Sequence, residues 1–496
     1  MEIKVISRPL LGGAGETLVL GYYEGFALAG EISRIDRTLG GQIKEVFLSK
    51  EFSGKFLETV LLRTTRKTTP RILLLGLGKK GEGTEDRIRQ AMGKAATTIR
   101  EAGQTQLAIP LSQRPPAISV SHFTQAVVEG VILSLYQFDL YKTDIPQPKK
   151  EIKGLTLLIT NRSEKGAVSK GALQGEQIAE AVNFARTLCN HPGDVVTPTY
   201  LAEEAKKIAA QYPITVNVLE REEAESLGMG AFVGVARGTH EPPKFITLEY
   251  KGAKGKPIAL VGKSVTFDTG GISLKPADNM EQMKYDMSGG AAVLAAIRVA
   301  AQMKLPVHIV AILPATDNMP GGRAIHPGDI VKTLSGKTVE VINTDAEGRL
   351  CLADAITYSL RYKPSAIIDL ATLTGACVVA LGGHAMALYG NDDKHTKAVQ
   401  KAAEKTGEGI WPMPLWDDYY NQIKSDVADL KNTGGRPGGS ITAALFLKQF
   451  VEDVPWVHLD IAGVAWNGEK PRPYTPKGST GAGVRLLVQY LIDSVA

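Results

Sequence analysis

Four carboxylates stand in glycine-rich settings beside apolar runs, and their types and positions suit cation chemistry. Asp268 lies in Gly262-Lys263-Ser-Val-Thr-Phe-Asp268-Thr-Gly270-Gly271-Ile-Ser-Leu-Lys275-Pro276, directly after the apolar run Ile258-Ala-Leu-Val261. Asp286 lies in Met283-Lys-Tyr-Asp286-Met-Ser288-Gly289-Gly290, ahead of a helical pattern that includes Val293, Ile297 and Ala300. Asp345 and Glu347 lie in Val341-Ile-Asn343-Thr344-Asp345-Ala-Glu347-Gly348-Arg349-Leu350, followed by Ala353, Ile356 and Leu360 at helical spacing. Taken singly, each has a plainer reading: Asp286 caps a helix, and Thr344 to Glu347 form a capping box. Taken together, clustered carboxylates repel one another unless divalent cations neutralise them. With no histidine among them they make a hard oxygen site for magnesium, manganese or zinc, and four or five donors are enough for two bridged ions. Lys263 sharpens this reading, because a lysine directly after a buried strand is costly unless it pairs with an anion or serves as a neutral amine ligand.

Rival chemistries fare worse. Gly76-Leu-Gly78-Lys-Lys-Gly81 follows a strand-like run and precedes a helix, as a dinucleotide fingerprint does, but Pro110-Leu-Ser-Gln stands where the acidic partner belongs. A glycine-rich strand-to-helix turn is the simpler reading. Gly262-Lys263-Ser264 resembles the end of a phosphate loop, which fails because Pro257 replaces the required glycine. The chain has no His-Glu-x-x-His and no Gly-x-Ser-x-Gly. His458, inside a strand-like run, reads as a packed core histidine.

The elements that position these residues read as alternating strands and helices. A chain of 496 residues suggests two domains of unequal size, and 44% hydrophobic with 22% charged residues excludes a disordered or collagen-like chain. A net charge of +5, with no dominant basic block, gives no sign of a dedicated nucleic-acid domain. Three scattered cysteines argue against a disulfide framework and fit a reducing cytoplasm. The N-terminus lacks a signal-peptide pattern, and the uncharged stretch from Ala371 to Gly390, with its glycines and His384, reads as buried strand plus loop rather than a membrane span. Strand candidates include Ile72 to Leu77, Phe245 to Tyr250, Ile258 to Val261, Val307 to Leu313, Ala366 to Leu370 and Val457 to Ile461. Glu85 to Ala102 and Ser121 to Tyr136 read as helices, and Pro146, Pro148 and Lys149-Lys150-Glu151 mark an exposed loop or boundary. Ile178, Val182, Ala185 and Cys189 mark one face of a bridging helix. The expectation is an α/β protein: a small N-terminal α/β domain over 1–165, a linking helix over 166–190, and a larger α/β domain over 191–496 whose mixed, mainly parallel sheet is flanked by helices.

Asn343-Thr-Asp-Ala-Glu-Gly-Arg349-Leu350 resembles the signature of the leucyl aminopeptidases, two-metal metallopeptidases of the cytosol. The resemblance extends through Lys263 to Pro276, Asp286-Met-Ser-Gly, Asn318-Met-Pro-Gly-Gly-Arg323, Leu370-Ala-Thr372-Leu-Thr-Gly375-Ala, His458-Leu-Asp-Ile-Ala462-Gly and Lys477 to Arg485. It implies that Lys263, Asp268, Asp286 and Glu347 hold one ion and Asp268, Asp345 and Glu347 the other. It also implies that Lys275 and Arg349 are catalytic, and that Met283, Thr372, Gly375, Ala462 and Ala465 shape the pocket for the first side chain. Two departures concern support structure: Asn190-His-Pro-Gly-Asp194 for the usual Asn-x-Pro-x-Asn, and Gly290 where alanine is common. The function implied is removal of N-terminal, leucine-like residues from peptides, the ions binding the free amine and a metal-bridging water attacking the carbonyl. Lys275 would stabilise the oxyanion and Arg349 would hold a bicarbonate. The implied cofactors are manganese or zinc, with magnesium or cobalt as alternatives, and the implied assembly is a homohexamer. An added DNA-binding or regulatory role, and a nucleotide-binding enzyme built on Gly76 to Gly81, stand as the other readings.

Overall fold

The structure is a computed structural model and describes residues 1–13, 15–25, 28, 30–144, 151–468 and 472–495. The chain forms two compact units, Met1–Glu180 with Lys470–Pro476, and Ala181–Glu469 with Lys477–Ala496. The helix Lys165–Asn190 carries the chain from the first to the second. Of the proline-lysine boundary segment, Pro146, Pro148, Lys149 and Lys150 lie outside the described residues.

In the first unit six strands run in the spatial order Glu2–Ile6, Gly154–Leu158, Gln106–Pro110, Thr17–Tyr23, Arg71–Gly78 and Thr59–Arg63. All neighbours pair in parallel except the edge strand Thr59–Arg63. Alternate side chains of one strand serve opposite layers, as a pleated strand requires. Leu73 and Leu75 pack with helices Glu85–Glu101 and Val120–Ser134, while Ile72 and Leu74 pack with Ile35 and Ile43 from the helices on the other face. The glycine-rich turn expected at Gly76 is corrected: the strand runs on through Gly78. A Cβ at Gly76 would lie 1.8 Å from the Lys55 carbonyl oxygen, so close packing of a neighbouring backbone segment accounts for this glycine.

The second unit is built on the strand order Ile410–Pro412, Met386–Gly390, Trp456–Asp460, Ala366–Ala371, Ile258–Gly262, His308–Asn318, Lys244–Lys251 and Ile214–Leu219. The four central strands are parallel to one another and nearly wholly buried, which explains their continuous apolar runs. A short further strand, Ser264–Asp268, pairs in parallel with the end of His308–Asn318. The stretch 371–390 holds more than strand and loop. Thr374 caps a seven-residue helix, Gly375–Leu381, by accepting from the Cys377 N–H, and the strand Met386–Gly390 follows. Among the described residues no helix is long and apolar enough to cross a membrane.

Candidate metal and catalytic site

Parallel strands present their carboxyl ends on one side of a sheet, and ligands gather there. Lys263 follows the strand Ile258–Gly262, Asp268 ends Ser264–Asp268, Asn318 ends His308–Asn318, Thr372 follows Ala366–Ala371, and Ala462 lies two residues past Trp456–Asp460. Neither carboxylate read as a cap proves to be one. Helix Ser288–Gln302 begins without a side-chain cap, and Asp286 Oδ1 instead accepts from Thr372 Oγ1 at 2.7 Å. Helix Gly348–Ser359 also lacks a side-chain cap; Thr344 Oγ1 donates to the Gly270 carbonyl at 2.6 Å. Tertiary partners outbid the local cap in both places, and the carboxylates turn inward.

Asp268, Asp286 and Glu347 converge, each buried, with one carboxylate oxygen apiece inside 4.8 Å of the others. Lys263 Nζ lies 2.7 Å from both Asp286 Oδ2 and Glu347 Oε1, and donates to the Thr372 carbonyl at 3.0 Å. Gly348 lets the lysine through, because a Cβ there would lie 2.4 Å from Lys263 Cε. Burial alone would depress the Lys263 ammonium, but Asp286, Glu347 and Asp268 outweigh it and hold the pKa well above the ordinary lysine value. Burial, with Asp268 adding to it, pushes Glu347 up to about 8 against the opposing pull of Lys263. Asp286 is likewise raised by burial, with Lys263 opposing. Glu347 Oε2 is buried and has no hydrogen-bond partner among the described residues. Buried carboxylate oxygens without donors are what a hard divalent cation satisfies, so this donor set fits one.

Asp345 joins the cluster through Lys275, whose ammonium lies 2.7 Å from Asp268 Oδ2 and also contacts Asp345 Oδ1. Burial raises the Asp345 carboxyl while Lys275 opposes it. Lys275, with its side chain 21% exposed, is held above the ordinary lysine value because Asp268, Glu347 and Asp345 outweigh burial. Arg349 is buried, and burial lowers its guanidinium to about 10, which leaves it charged at neutral pH.

Three supporting residues were missed from the sequence as site residues. Asn318 Nδ2 donates to Asp268 Oδ1 at 2.7 Å and to the Thr344 carbonyl at 3.1 Å, tying two carboxylate-bearing segments together. Asn432 uses every polar atom. Its Oδ1 accepts from the N–H groups of Ile342 and Asn343, its Nδ2 donates to the carbonyls of Asn343 and Ala346, its N–H donates to Glu340, and its carbonyl accepts from Arg349 Nη1 at 2.9 Å. Asp460, also wholly buried, accepts from the N–H groups of Leu373 and Ala462 and from Thr374 Oγ1. Apart from the bond between Asp460 and Ala462, two residues apart, these bonds span 26 to 92 residues of sequence, so no local pattern announces them. His458 is a core residue, unexposed, with Nδ1 2.5 Å from Asp369 Oδ1.

The cluster opens into a cavity of about 1880 Å³, counted out to open solvent, whose wall includes Lys263, Asp268, Lys275, Asp286, Asp345 and Arg349. Met283, Thr372, Gly375 and Ala462 line it as well. Ala465 does not: it is fully buried, its N–H donating to Ile461 and its carbonyl accepting from Thr480.

The profile of the cytosol aminopeptidase family's catalytic domain matches residues 183–488, and that of its N-terminal domain matches residues 19–144. The chain belongs to the cytosol aminopeptidase family. A probable cytosol aminopeptidase of Geobacter sp. (strain M21) is 48% identical over 498 aligned positions that span 99% of each chain. One from Roseiflexus castenholzii is 44% identical, again over 99% of each. Among solved structures, a tomato leucine aminopeptidase mutant superposes with TM-score 0.89 at 35% identity, covering 99% of this chain and 96% of that one. The bottromycin maturation enzyme BotP in complex with Mn gives 0.86 at 32%, covering 97% of this chain and all of that one. The protein is therefore a peptidase of this family with a mixed α/β fold, a metal-dependent aminopeptidase acting at peptide N-termini.

Proposed function

We propose that Lys263, Asp268, Asp286, Asp345 and Glu347 hold two divalent ions, with Asp268 and Glu347 shared, and that Lys275 and Arg349 assist the chemistry beside them. The observation that carries this reading is the buried convergence of Asp268, Asp286 and Glu347 at the head of a cavity that also holds Lys275 and Arg349. When bound, the ions supply Lewis acidity to the scissile carbonyl and lower the pKa of an attacking water. The chain's own residues do the rest. The acidic head of the cavity receives the substrate's free amine, which an internal peptide bond lacks. Lys275, charged throughout the working pH range, stabilises the negative charge that develops on the carbonyl oxygen. Arg349 stays charged and cannot serve as a base at neutral pH; it holds a small anion such as bicarbonate, while Asn432 fixes its Nη1. Met283, Thr372, Gly375 and Ala462 shape a pocket for a leucine-like side chain, with Ala465 in the turn that supports Ala462.

Manganese or zinc is the metal we assign, the cytoplasm the compartment and a homohexamer the assembly, with domains over 1–165 and 191–496 joined by the helix over 166–190. Dialysis against a strong chelator tests the central reading. Hydrolysis of a leucyl substrate should cease and return with manganese, zinc or cobalt; full activity in metal-free protein would end it.

A further inference from the structure

The cavity wall carries a fourth cation that the roles above leave unused. Beyond Asn432 the chain runs through Thr433-Gly-Gly-Arg436-Pro-Gly-Gly439, and Thr433, Gly435, Arg436, Gly438 and Gly439 all line the cavity. This loop is held at both ends. Asn432 anchors one side through its six hydrogen bonds, and helix Gly439–Lys448 follows on the other, where the Gly439 N–H donates to the Arg436 carbonyl at 3.3 Å.

Charge placement along the cavity is lopsided. Its carboxylates, Asp268, Asp286 and Asp345, all belong to the buried head, where Lys263 and Lys275 engage them. Arg349 is buried and bonded to Asn432. Arg436 is exposed, and among the described residues its guanidinium makes no hydrogen bond, ion pair or ring contact. A planar, permanently charged fork of N–H donors facing an open cavity matches a carboxylate. A peptide whose α-amine sits in the acidic head brings one carboxylate with it by necessity, at its other end, and in an extended di- or tripeptide that group lies within roughly 10 Å of the amine.

We propose that Arg436 recognises the C-terminal carboxylate of short peptide substrates and so tunes the enzyme to small peptides with a free carboxyl end. The proposal rests on the aminopeptidase reading of the same site and deepens it by naming the substrate class. Arg436 acts on binding and takes no part in bond cleavage.

The test compares Leu-Gly and Leu-Gly-Gly, each as the free acid and as the C-terminal amide, on the metal-loaded wild-type enzyme and on Arg436→Gln and Arg436→Lys. For at least one length the wild type should favour the acid by about tenfold in kcat/KM, mostly through KM, a value discounted from a buried charge-assisted bond because the arginine is exposed. Arg436→Gln should bring the acid-to-amide ratio to about one while leaving amide cleavage unchanged, and Arg436→Lys should restore part of the preference. A wild-type ratio near one at both lengths overturns the proposal, as does a preference that survives in Arg436→Gln. The amide peptides keep the two readings apart: their cleavage needs no arginine contact, so a wild-type enzyme that leaves them intact contradicts the aminopeptidase reading itself.

Discussion

Replacing Lys263 with methionine should change how many protons leave when metal enters. In the metal-free protein the Lys263 ammonium is held well above its ordinary pKa by Asp286, Glu347 and Asp268 acting against burial, and burial with Asp268 pushes Glu347 up to about 8. If both ligate, both must first be deprotonated. At pH 7 a group with a pKa of about 8 is roughly 90% protonated, so loading the wild type there releases close to two protons: one from Lys263 and about 0.9 from Glu347. Apparent affinity should therefore rise about a hundredfold per pH unit below pH 8 and about tenfold per unit above it, since each proton contributes roughly 1.4 kcal/mol per unit. Lys263→Met should remove the lysine's proton, leaving about tenfold per unit below pH 8, and because Lys263 no longer opposes the rise of Glu347, that slope should persist above pH 8 in the variant. Calorimetric titration with manganese, in buffers of different ionisation enthalpy between pH 6.5 and 8.5, counts these protons directly. Equal slopes for wild type and Lys263→Met below pH 8 would refute the ligand role of Lys263, and a wild-type slope that stays at about tenfold per unit on both sides of pH 8 would refute the raised pKa of Glu347.

Further outcomes follow from the same geometry. Lys275→Ala should lower turnover by roughly a hundredfold to a thousandfold, about 3 to 4 kcal/mol, with KM and metal content retained; loss of metal in this variant would show that Lys275 is structural. Arg349→Ala should cost less turnover and abolish any response to added bicarbonate, read by titrating bicarbonate into depleted buffer. Asn432→Ala should weaken metal binding by roughly tenfold to a hundredfold, the range for residues that orient ligands, in a competition titration with a metal-sensitive dye; unchanged affinity would mean that the Asn343–Glu347 loop holds itself. Asp354, buried in helix Gly348–Ser359, is pushed up to about 7 by burial although the N–H groups of Phe232 and Leu334 favour its charged form. Its folded pKa lies above the unfolded value, so the unfolded chain loses this proton first and stability should fall, by at most roughly 1.4 kcal/mol per unit, as pH rises from about 4 to 7. Chemical denaturation across that range should show a shallower slope in Asp354→Asn.

The site was legible in the sequence where chemistry is packed into short segments. Asp268, Asp286, Asp345 and Glu347 each carry glycines and a strand end or helix start with them, and the central strands read clearly because burial on both faces makes them continuous apolar runs. What could not be read is what long-range contact decides. Thr344 and Asp286 look like caps until Gly270 and Thr372, 74 and 86 residues away, compete for their side-chain atoms. Asn432 and Asp460 are unremarkable in the linear chain, and only the fold reveals that each stitches together segments of the cavity wall. The helix Gly375–Leu381 was hidden because an uncharged stretch of glycine and apolar residues gives no helical stripe, and the one cue was Thr374 at its start.

The measurement that bears most directly on the central claim is anomalous diffraction at the manganese or zinc edge, on crystals of a preparation whose turnover and metal content have been determined. Two ions per chain should appear among Lys263, Asp268, Asp286, Asp345 and Glu347, with Asp268 and Glu347 touching both, and turnover should track their occupancy. A fully active preparation whose ions lie elsewhere, or that carries none, would contradict it.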